Sequence, residues 1–337
     1  MRADSKERIE ISRRKLLVGG GLGVGLLVAW SLWPRRYQPN LRVAEGEHLF
    51  GPWLKIAEDG KVIIAISQSE SGQGVYTALA QIVAGELGAD WRSVAVQPVS
   101  ASPLFANELL AREWAPAFWP ESLNPQNIGI ATEGMVTEQA RRGNFVITGG
   151  SSSIRQFEQP CREAGAIARV LLCQAAAARW DTDWEQCETD KGFVVFGKKR
   201  LAFADLVIEA AELTPPDPIP LRPSPRNHLS GRDAPRLDLS AKVDGSASFA
   251  GDIRLPDMLY ASVRAGPIGN SRLKSANSKA ASKIRGLINV VRTDHWIASV
   301  ATNWWAANQA LDAMAPIFTT KGVMADSAQM MQSLSDA

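Results

Sequence analysis

Cysteine and histidine are both scarce, with three of each in 337 residues. Cys161, Cys173 and Cys187 stand 12 and 14 residues apart. No C-x-x-C pair exists, so zinc ribbons, cysteine-held iron–sulfur clusters and dithiol redox centres have no ligands. His48, His228 and His295 are too scattered to form a local ligand pair, and no protein-held metal is expected. An excess of either charge is also missing: 37 basic against 35 acidic residues leaves +2. With no basic stripe interleaved with aromatics, nucleic-acid binding is excluded. Tyrosine is rare, three against eleven tryptophans, and tryptophan mostly marks core or interface packing. The glycines from Gly19 to Gly25 lack a G-x-G-x-x-G register and follow no strand, which removes a dinucleotide fingerprint.

What remains is the composition of a globular protein, 45% hydrophobic and 21% charged, long enough for two domains. The first positive signal is at the amino terminus. Residues 1–15 carry six basic and three acidic side chains, and the 19 residues from Leu16 to Pro34 carry none. Arg13 and Arg14, followed by Lys15, stand just before this run, so residues 1–36 are expected to be a twin-arginine-type export signal. An uncleaved anchor is the alternative, because 19 helical residues at ~1.5 Å each reach about 28 Å, near the ~30 Å of a bilayer core. Charge asymmetry keeps residues 1–15 in the cytoplasm. The rest is expected in the periplasm, free or anchored to the membrane through residues 16–34.

The second signal is Gln68–Thr77 (QSESGQGVYT), between a strand and a helix. Val62–Ile66 is a continuous apolar, β-branched run, and Val75, Leu79, Ile82, Val83 and Leu87 recur at helical spacing. Gly72, Gln73 and Gly74 therefore occupy a strand-to-helix turn, where backbone N–H groups lack partners and the helix end favours anions. The glycines admit close approach, and the Gln73 amide both donates and accepts. Many tight turns carry glycine for steric reasons alone, so the spacing by itself leaves a purely structural role open.

A third segment, Thr148–Arg155 (TGGSSSIR), opens a long helix on which Phe157, Cys161, Ala164, Ala168, Leu171, Ala175 and Ala178 trace a narrow apolar seam. Ser151, Ser152 and Ser153 suit two roles, capping the helix or donating to a phosphate at its positive end. A serine-hydrolase elbow is excluded, since no glycine stands two residues after Ser151.

Taken with Trp53–Gly60 (WLKIAEDG) and Ala84–Gly88 (AGELG), these motifs resemble the molybdopterin-binding large subunit of the xanthine dehydrogenase/aldehyde oxidase family. The likeness is closest to the branch typified by the beta subunit of isoquinoline 1-oxidoreductase. Cys161–Arg169 (CREAGAIAR) is part of the same likeness. The resemblance implies that Gln73 reaches the molybdenum centre and that Gly72 and Gly74 let backbone approach. It also implies that Gly150, Ser151, Ser152 and Ser153 hold the pterin and its phosphates. The metal would be held by its pterin dithiolene, consistent with the missing protein ligands.

The resemblance continues downstream. After a Pro-rich run, Thr214–Pro225 (TPPDPIPLRPSP), come Arg236–Phe249 (RLDLSAKVDGSASF), Asp252–Tyr260 (DIRLPDMLY), Gly286–Val291 (GLINVV) and Trp304–Leu311 (WWAANQAL). These resemble the start, a later strand and a later helix of the family's a/b hammerhead domain. The expected class is α+β. A linker is expected at 37–49 and a partial molybdopterin-binding domain at 50–213. A Pro-rich linker should span 214–235, the hammerhead domain 236–320 and a tail 321–337. Residues Phe105–Arg142, with Trp114, Trp119, Pro116, Pro120 and Pro125, read as long loop with short helical pieces.

In the family, the large subunit continues with a second half that supplies more cofactor contacts and the glutamate taken as catalytic base. Here Glu70 and Glu86 stand in other motifs, and no catalytic residue is assigned. The resemblance implies the N-terminal part of a molybdenum hydroxylase acting on an N-heteroaromatic compound or an aldehyde, with oxygen from water. It further implies a small iron–sulfur subunit and an acceptor such as a cytochrome as partners. A truncated non-catalytic fragment, an anchored interaction module and one half of a split enzyme are the alternatives.

Overall fold

The computed structural model describes residues 37–118, 130–223, 229, 231–322 and 326–337. The expected export signal or anchor at 1–36 lies outside these residues, as do Trp119, Pro120 and Pro125. Among the described residues no helix is long and apolar enough to cross a membrane. The chain divides into two units, 1–246 and 247–337, and helices and sheets mix in both, as the α+β class requires.

The first unit opens with four strands, β1 (Glu47–Leu49), β2 (Leu54–Ala57), β3 (Val62–Ile66) and β4 (Val94–Pro98). They form one sheet in the order β1-β2-β3-β4. β1 therefore falls within the expected 37–49 linker. The first three strands pair antiparallel, and β3 pairs parallel with β4, Val62 opposite Val94 through Ile66 opposite Pro98. A parallel pair needs a crossover, and here it is α1 (Val75–Leu87). Val75, Leu79, Val83 and Leu87 are buried along one face of α1, as their spacing predicts.

The 105–142 stretch is more regular than its prolines and tryptophans suggest. It holds α2 (Glu108–Phe118) and α3 (Ile130–Arg142), which pack on each other. Pro116 falls in the last turn of α2. The helix expected after the serines is α4 (Ser153–Trp180). Its buried surface is much wider than the expected seam and takes in Gly165, Ala166, Val170, Leu172, Cys173, Ala176 and Ala177, whereas Ala178 is exposed. The reason is that α4 packs against α1 and also against the sheet β5 (Glu188–Asp190), β6 (Phe193–Phe196), β7 (Lys199–Ala202) and α5 (Phe203–Ala211). Gly165 is a point of close approach to α1. A Cβ there would stand 2.5 Å from Val83 O and 2.9 Å from Glu86 Cβ.

Trp53, 7% exposed, meets the Phe105 ring edge-on at 4.7 Å and the Phe157 ring at 5.5 Å. It thereby fastens the sheet to the segments before α2 and at the start of α4. Each such aromatic pair contributes about 0.5–1.5 kcal/mol beyond its buried area.

The Pro-rich run and residues 236–246, expected as linker and second-domain start, lie with the first unit. Arg169 Nη2 donates to Pro220 O, and Arg162 Nη2 donates to Arg222 O at 3.0 Å. Arg222 is 3% exposed, and its side chain reaches Glu188 at 3.1 Å and Thr189 O at 3.1 Å. Glu86, fully buried, accepts from the Arg222 backbone N–H and pairs with Arg162 at 3.2 Å. A short helix, α6 (Leu239–Val243), follows.

The second unit runs β8 (Tyr260–Ala265), β9 (Asn270–Ser275), α7 (Ser278–Ala281), β10 (Leu287–Arg292), β11 (Trp296–Ala301), α8 (Trp304–Met314) and β12 (Ile317–Lys321). Three of its strands form an antiparallel sheet of order β10-β11-β8, and β9 pairs separately with β12. The small core of this unit gathers Ile297, Leu311 and Met314 with Leu273, Val290 and Phe318. The segment expected as a tail carries α9 (Ser327–Asp336). Polar side chains cap the helix starts here: Asn303 caps α8 and Asp326 caps α9.

Candidate functional site

The Gln73 turn sits at the carboxyl end of β3, where ligands gather in sheets with parallel strands. Gly72 and Gly74 have φ of 105° and 86°, a region that side chains with a Cβ rarely adopt. A Cβ at either would meet nothing within 4 Å. These glycines therefore serve backbone conformation, and the space beside them is open.

Gln73 is exposed, and its amide folds back on its own loop. Nε2 donates to Ser69 O at 2.8 Å, and Oε1 accepts the Ser71 N–H at 2.6 Å. One N–H and one lone pair are left for a ligand. The free N–H groups expected at the start of α1 are, however, already used. Glu70 Oε1 accepts from Gly72 N at 2.8 Å and from Gly74 N at 2.9 Å, and Oε2 accepts from Tyr76 N at 3.1 Å. Burial pushes the Glu70 carboxyl up, but the N–H groups of Gly74, Tyr76 and Gly72 together hold it below the usual range. Glu70 thus stays ionised at neutral pH and is unsuited to take a proton.

The serine segment is built differently from a simple cap. Ser152 precedes α4 without a side-chain cap bond. Its hydroxyl is fully buried, donates to Gly149 O at 2.7 Å and accepts from Asn107 Nδ2 at 2.7 Å. Asn107, also fully buried, donates to Ile147 O at 2.9 Å and accepts from Leu110 N at 3.1 Å. Gly150 has φ of 57°, and a Cβ there would lie 2.7 Å from Leu110 Cδ1. Ser151, a non-glycine at φ 50°, is exposed at the turn. Ser152 and Gly150 accordingly shape the loop, while Ser151 faces outward and Ser153 is half-buried.

The two motifs come together. Ser69 N donates to Thr148 Oγ1 at 2.8 Å, and Ser153 Oγ donates to Gln68 Oε1 at 2.8 Å. Gln73, Ser151 and Ser153 then line one cavity of about 220 Å³ with Val75, Ala78 and Ile154. Complete ligand pockets usually run to ~300–1,000 Å³, so this cavity has the size of one wall of a site. Among the described residues its lining carries amide and hydroxyl groups but no charged side chain. It can orient a polar ligand and donate to an anion, and it has no acid or base to move a proton.

Two buried polar atoms stand in the chain between β3 and this turn. Gln68, 1% exposed, has its Nε2 without a partner, and so does the buried Ser67 Oγ. An orphaned buried polar group costs about 1–3 kcal/mol. A larger cavity of about 510 Å³ lies at the far end of α1, lined by Gly88, Asp90, Trp91, Arg92, Lys191 and Arg232. It holds none of the motif residues predicted to bind a cofactor, and Asp90 and Arg92 already pair at 2.7 Å.

The cysteines play no part in the cavity. All three are buried free thiols, and burial pushes Cys161 and Cys173 up to about 12. Among the described residues no His, Cys, Asp and Glu cluster could hold a metal ion. Sequence reading missed Gln68, Asn107 and Arg236. Only Glu70 carried a signal, as an acid just ahead of a helix start.

Residues 3–104 match the family model described as Molybdopterin cofactor-binding domain. The chain is 27% identical to the membrane-bound aldehyde dehydrogenase [pyrroloquinoline-quinone] of Gluconacetobacter polyoxogenes, over 92% of this chain and 37% of that protein. It is 28% identical to the beta subunit of isoquinoline 1-oxidoreductase of Brevundimonas diminuta, over 90% of this chain and 40% of that protein. With the B subunit of nicotinate dehydrogenase of Pseudomonas putida it shares 27% identity, over 86% of this chain and 22% of that protein. The chain thus spans two fifths or less of the curated relatives it matches. Over most of its length the chain is similar to these three proteins, and at residues 3–104 to molybdopterin cofactor-binding domains, in keeping with the resemblance read in its sequence.

Proposed function

We propose that this chain supplies one wall of a molybdenum cofactor site in an oxidoreductase that hydroxylates an N-heteroaromatic compound or an aldehyde with oxygen from water. The observation that carries the reading is the meeting of Gln73 with Ser151 and Ser153 on one cavity. When bound, the molybdopterin cofactor supplies the redox centre that accepts two electrons from the substrate. Gln73 offers its remaining amide N–H and lone pair toward the reacting end of the cofactor. Ser151 offers its hydroxyl at the positive start of α4 to the anionic part, and Ser153, whose proton goes to Gln68, offers an oxygen lone pair to a donor group of the ligand. Gly72 and Gly74 hold the loop open, and Gly150 and Ser152 hold the serine turn in shape. The described cavity lining holds no base, and none of its residues is assigned proton removal.

One relative is named for pyrroloquinoline quinone, but the match to a molybdopterin-binding domain over residues 3–104 favours the molybdenum cofactor. For the second unit we favour the a/b hammerhead assignment. A strand at Leu287–Arg292 and a helix at Trp304–Met314 stand where the resemblance expects them. A small iron–sulfur subunit and a cytochrome-like acceptor are the proposed partners, in keeping with relatives named as subunits. Export by a twin-arginine route, to the periplasm or its membrane face, completes the reading.

The test is molybdenum per chain, by mass spectrometry, after expression of the full chain in a host that makes the cofactor. Near-stoichiometric metal supports the reading. A folded product without metal favours a non-catalytic fragment.

A further inference from the structure

Three backbone N–H groups, those of Gly72, Gly74 and Tyr76, converge at the start of α1 on a single carboxylate, Glu70. The Glu70 side chain is only 5% exposed, so water competes little for it. Its remaining acceptor capacity is met from far along the chain. Arg236 Nη2 donates to Glu70 Oε1 at 3.2 Å, and Arg236 Nη1 donates to Gly72 O at 3.0 Å. One guanidinium thus spans both ends of the turn. Arg236 is itself aimed by Asp238, which accepts from Nε and Nη2 at 3.0 Å each. Lys242 completes the chain of charges on Asp238.

This latch ends a longer contact along α1. Trp91 Nε1 donates to Pro235 O at 3.2 Å, Gln81 Nε2 donates to Arg232 O at 2.8 Å, and Leu237 N donates to Thr77 Oγ1 at 3.1 Å. The segment beyond the Pro-rich run is therefore laid down on the helix and finishes at the cofactor loop.

We infer that Glu70 is a positioning residue, the loop's own resident anion, and that Arg236 locks it, so that the pair decides where the Gln73 amide stands. The inference rests on the functional reading only in taking Gln73 to face a cofactor. The start of α1 is filled from within and closed to a ligand anion. Loss of the carboxylate frees Gly72, Gly74 and Tyr76 together, because all three bonds end on it.

The test is residue-resolved amide hydrogen exchange on the full chain, in the wild type, E70A, E70Q and R236A. In E70A the amides of Gly72, Gly74 and Tyr76 should exchange roughly 10-fold faster or more, the scale of one charge-assisted hydrogen bond. E70Q, with a single acceptor oxygen, and R236A should fall between. Val83 to Leu87, on the same helix, should stay within about threefold, whereas a general loss of stability would move both regions alike. Unchanged exchange at the three amides in E70Q and R236A overturns the inference, and these two variants suffice if E70A does not fold. Molybdenum content of the same samples judges the functional reading separately. A metal-free wild type with the expected exchange pattern sinks that reading and leaves the positioning role standing.

Discussion

Ser153 Oγ donates to Gln68 Oε1 at 2.8 Å across 85 residues of chain. This bond joins the β3–α1 turn to the start of α4, and the Ser69–Thr148 bond beside it repeats the connection. Neither side chain is exotic. The consequence is that the Gln73 amide and the serine hydroxyls stand on one wall, fixed to each other.

Replacing Gln73 by Ala should lower molybdenum retention several-fold while changing stability by no more than about 1 kcal/mol, since the side chain is exposed. Metal analysis and a urea titration of the same sample separate the two effects. An unaltered metal content would remove Gln73 from the site.

Two glycine substitutions should fail for different reasons. Gly165→Ala forces a methyl against Val83 O and should cost about 1–3 kcal/mol through overpacking between α1 and α4. Gly74→Ala has open space around it but must hold φ near 86°, at about 1–2 kcal/mol. Gly74→Asn should recover much of that loss, because asparagine tolerates the left-handed region. Gly165→Asn should not. Denaturant midpoints of the four variants decide.

Asn107→Ala strips partners from Ile147 O, the Ser152 hydroxyl and Leu110 N at once. A loss of about 1–3 kcal/mol is expected from leaving buried groups unpaired. The accompanying change should be faster proteolysis at residues 145–152, read by limited digestion.

Acid should release the latch. Glu70 is held low by the balance already described, and Asp238 is held low first by its bonds from Arg236 and Lys242, against burial. Tyr76, Arg236 and Lys242 are the other titratable groups facing them. A carboxyl with a lowered folded pKa stabilises fully above its unfolded value, ~4.3 for Glu and ~3.9 for Asp. That contribution fades as pH falls through the lower folded value, because the unfolded chain binds the proton first. Stability should therefore be flat from neutral pH to about 5 and decline below about 4. E70Q should flatten part of that decline in acid denaturation curves.

Exchange of both Arg13 and Arg14 for Lys should abolish export if the twin-arginine reading holds. Fractionation of cells for the tagged full chain checks it, and continued export would discard that route.

Much of the scaffold was legible because local pattern and tertiary role agree. Val62–Ile66 and Val75–Leu87 follow directly from the apolar run and its helical spacing. The helices of the 105–142 stretch are hidden in the sequence because Pro116, which falls in the last turn of α2, looks the same there as a helix breaker in a loop. The width of the α4 contact was hidden because alanine and glycine carry little hydrophobic signal, yet they are what lets α1 approach. At the site, the glycines and serines announce a turn and a helix start. Which hydroxyl is buried and which faces out depends on Asn107, and the anion that fills the α1 start is completed by Arg236. Such long-range partners leave no periodic trace.

Arg236 reaches Gly72 across 164 residues, and this distance sets a timetable for synthesis. A nascent chain that has emerged only through α4 already has Gln73, Ser151 and Ser153, but not the guanidinium that closes the turn. Contacts of such long sequence separation form late, after the entropy of closing the intervening loop has been met. The turn is therefore latched only after the Pro-rich segment has left the ribosome, so a ligand reaching the loop before that point would meet it unlatched.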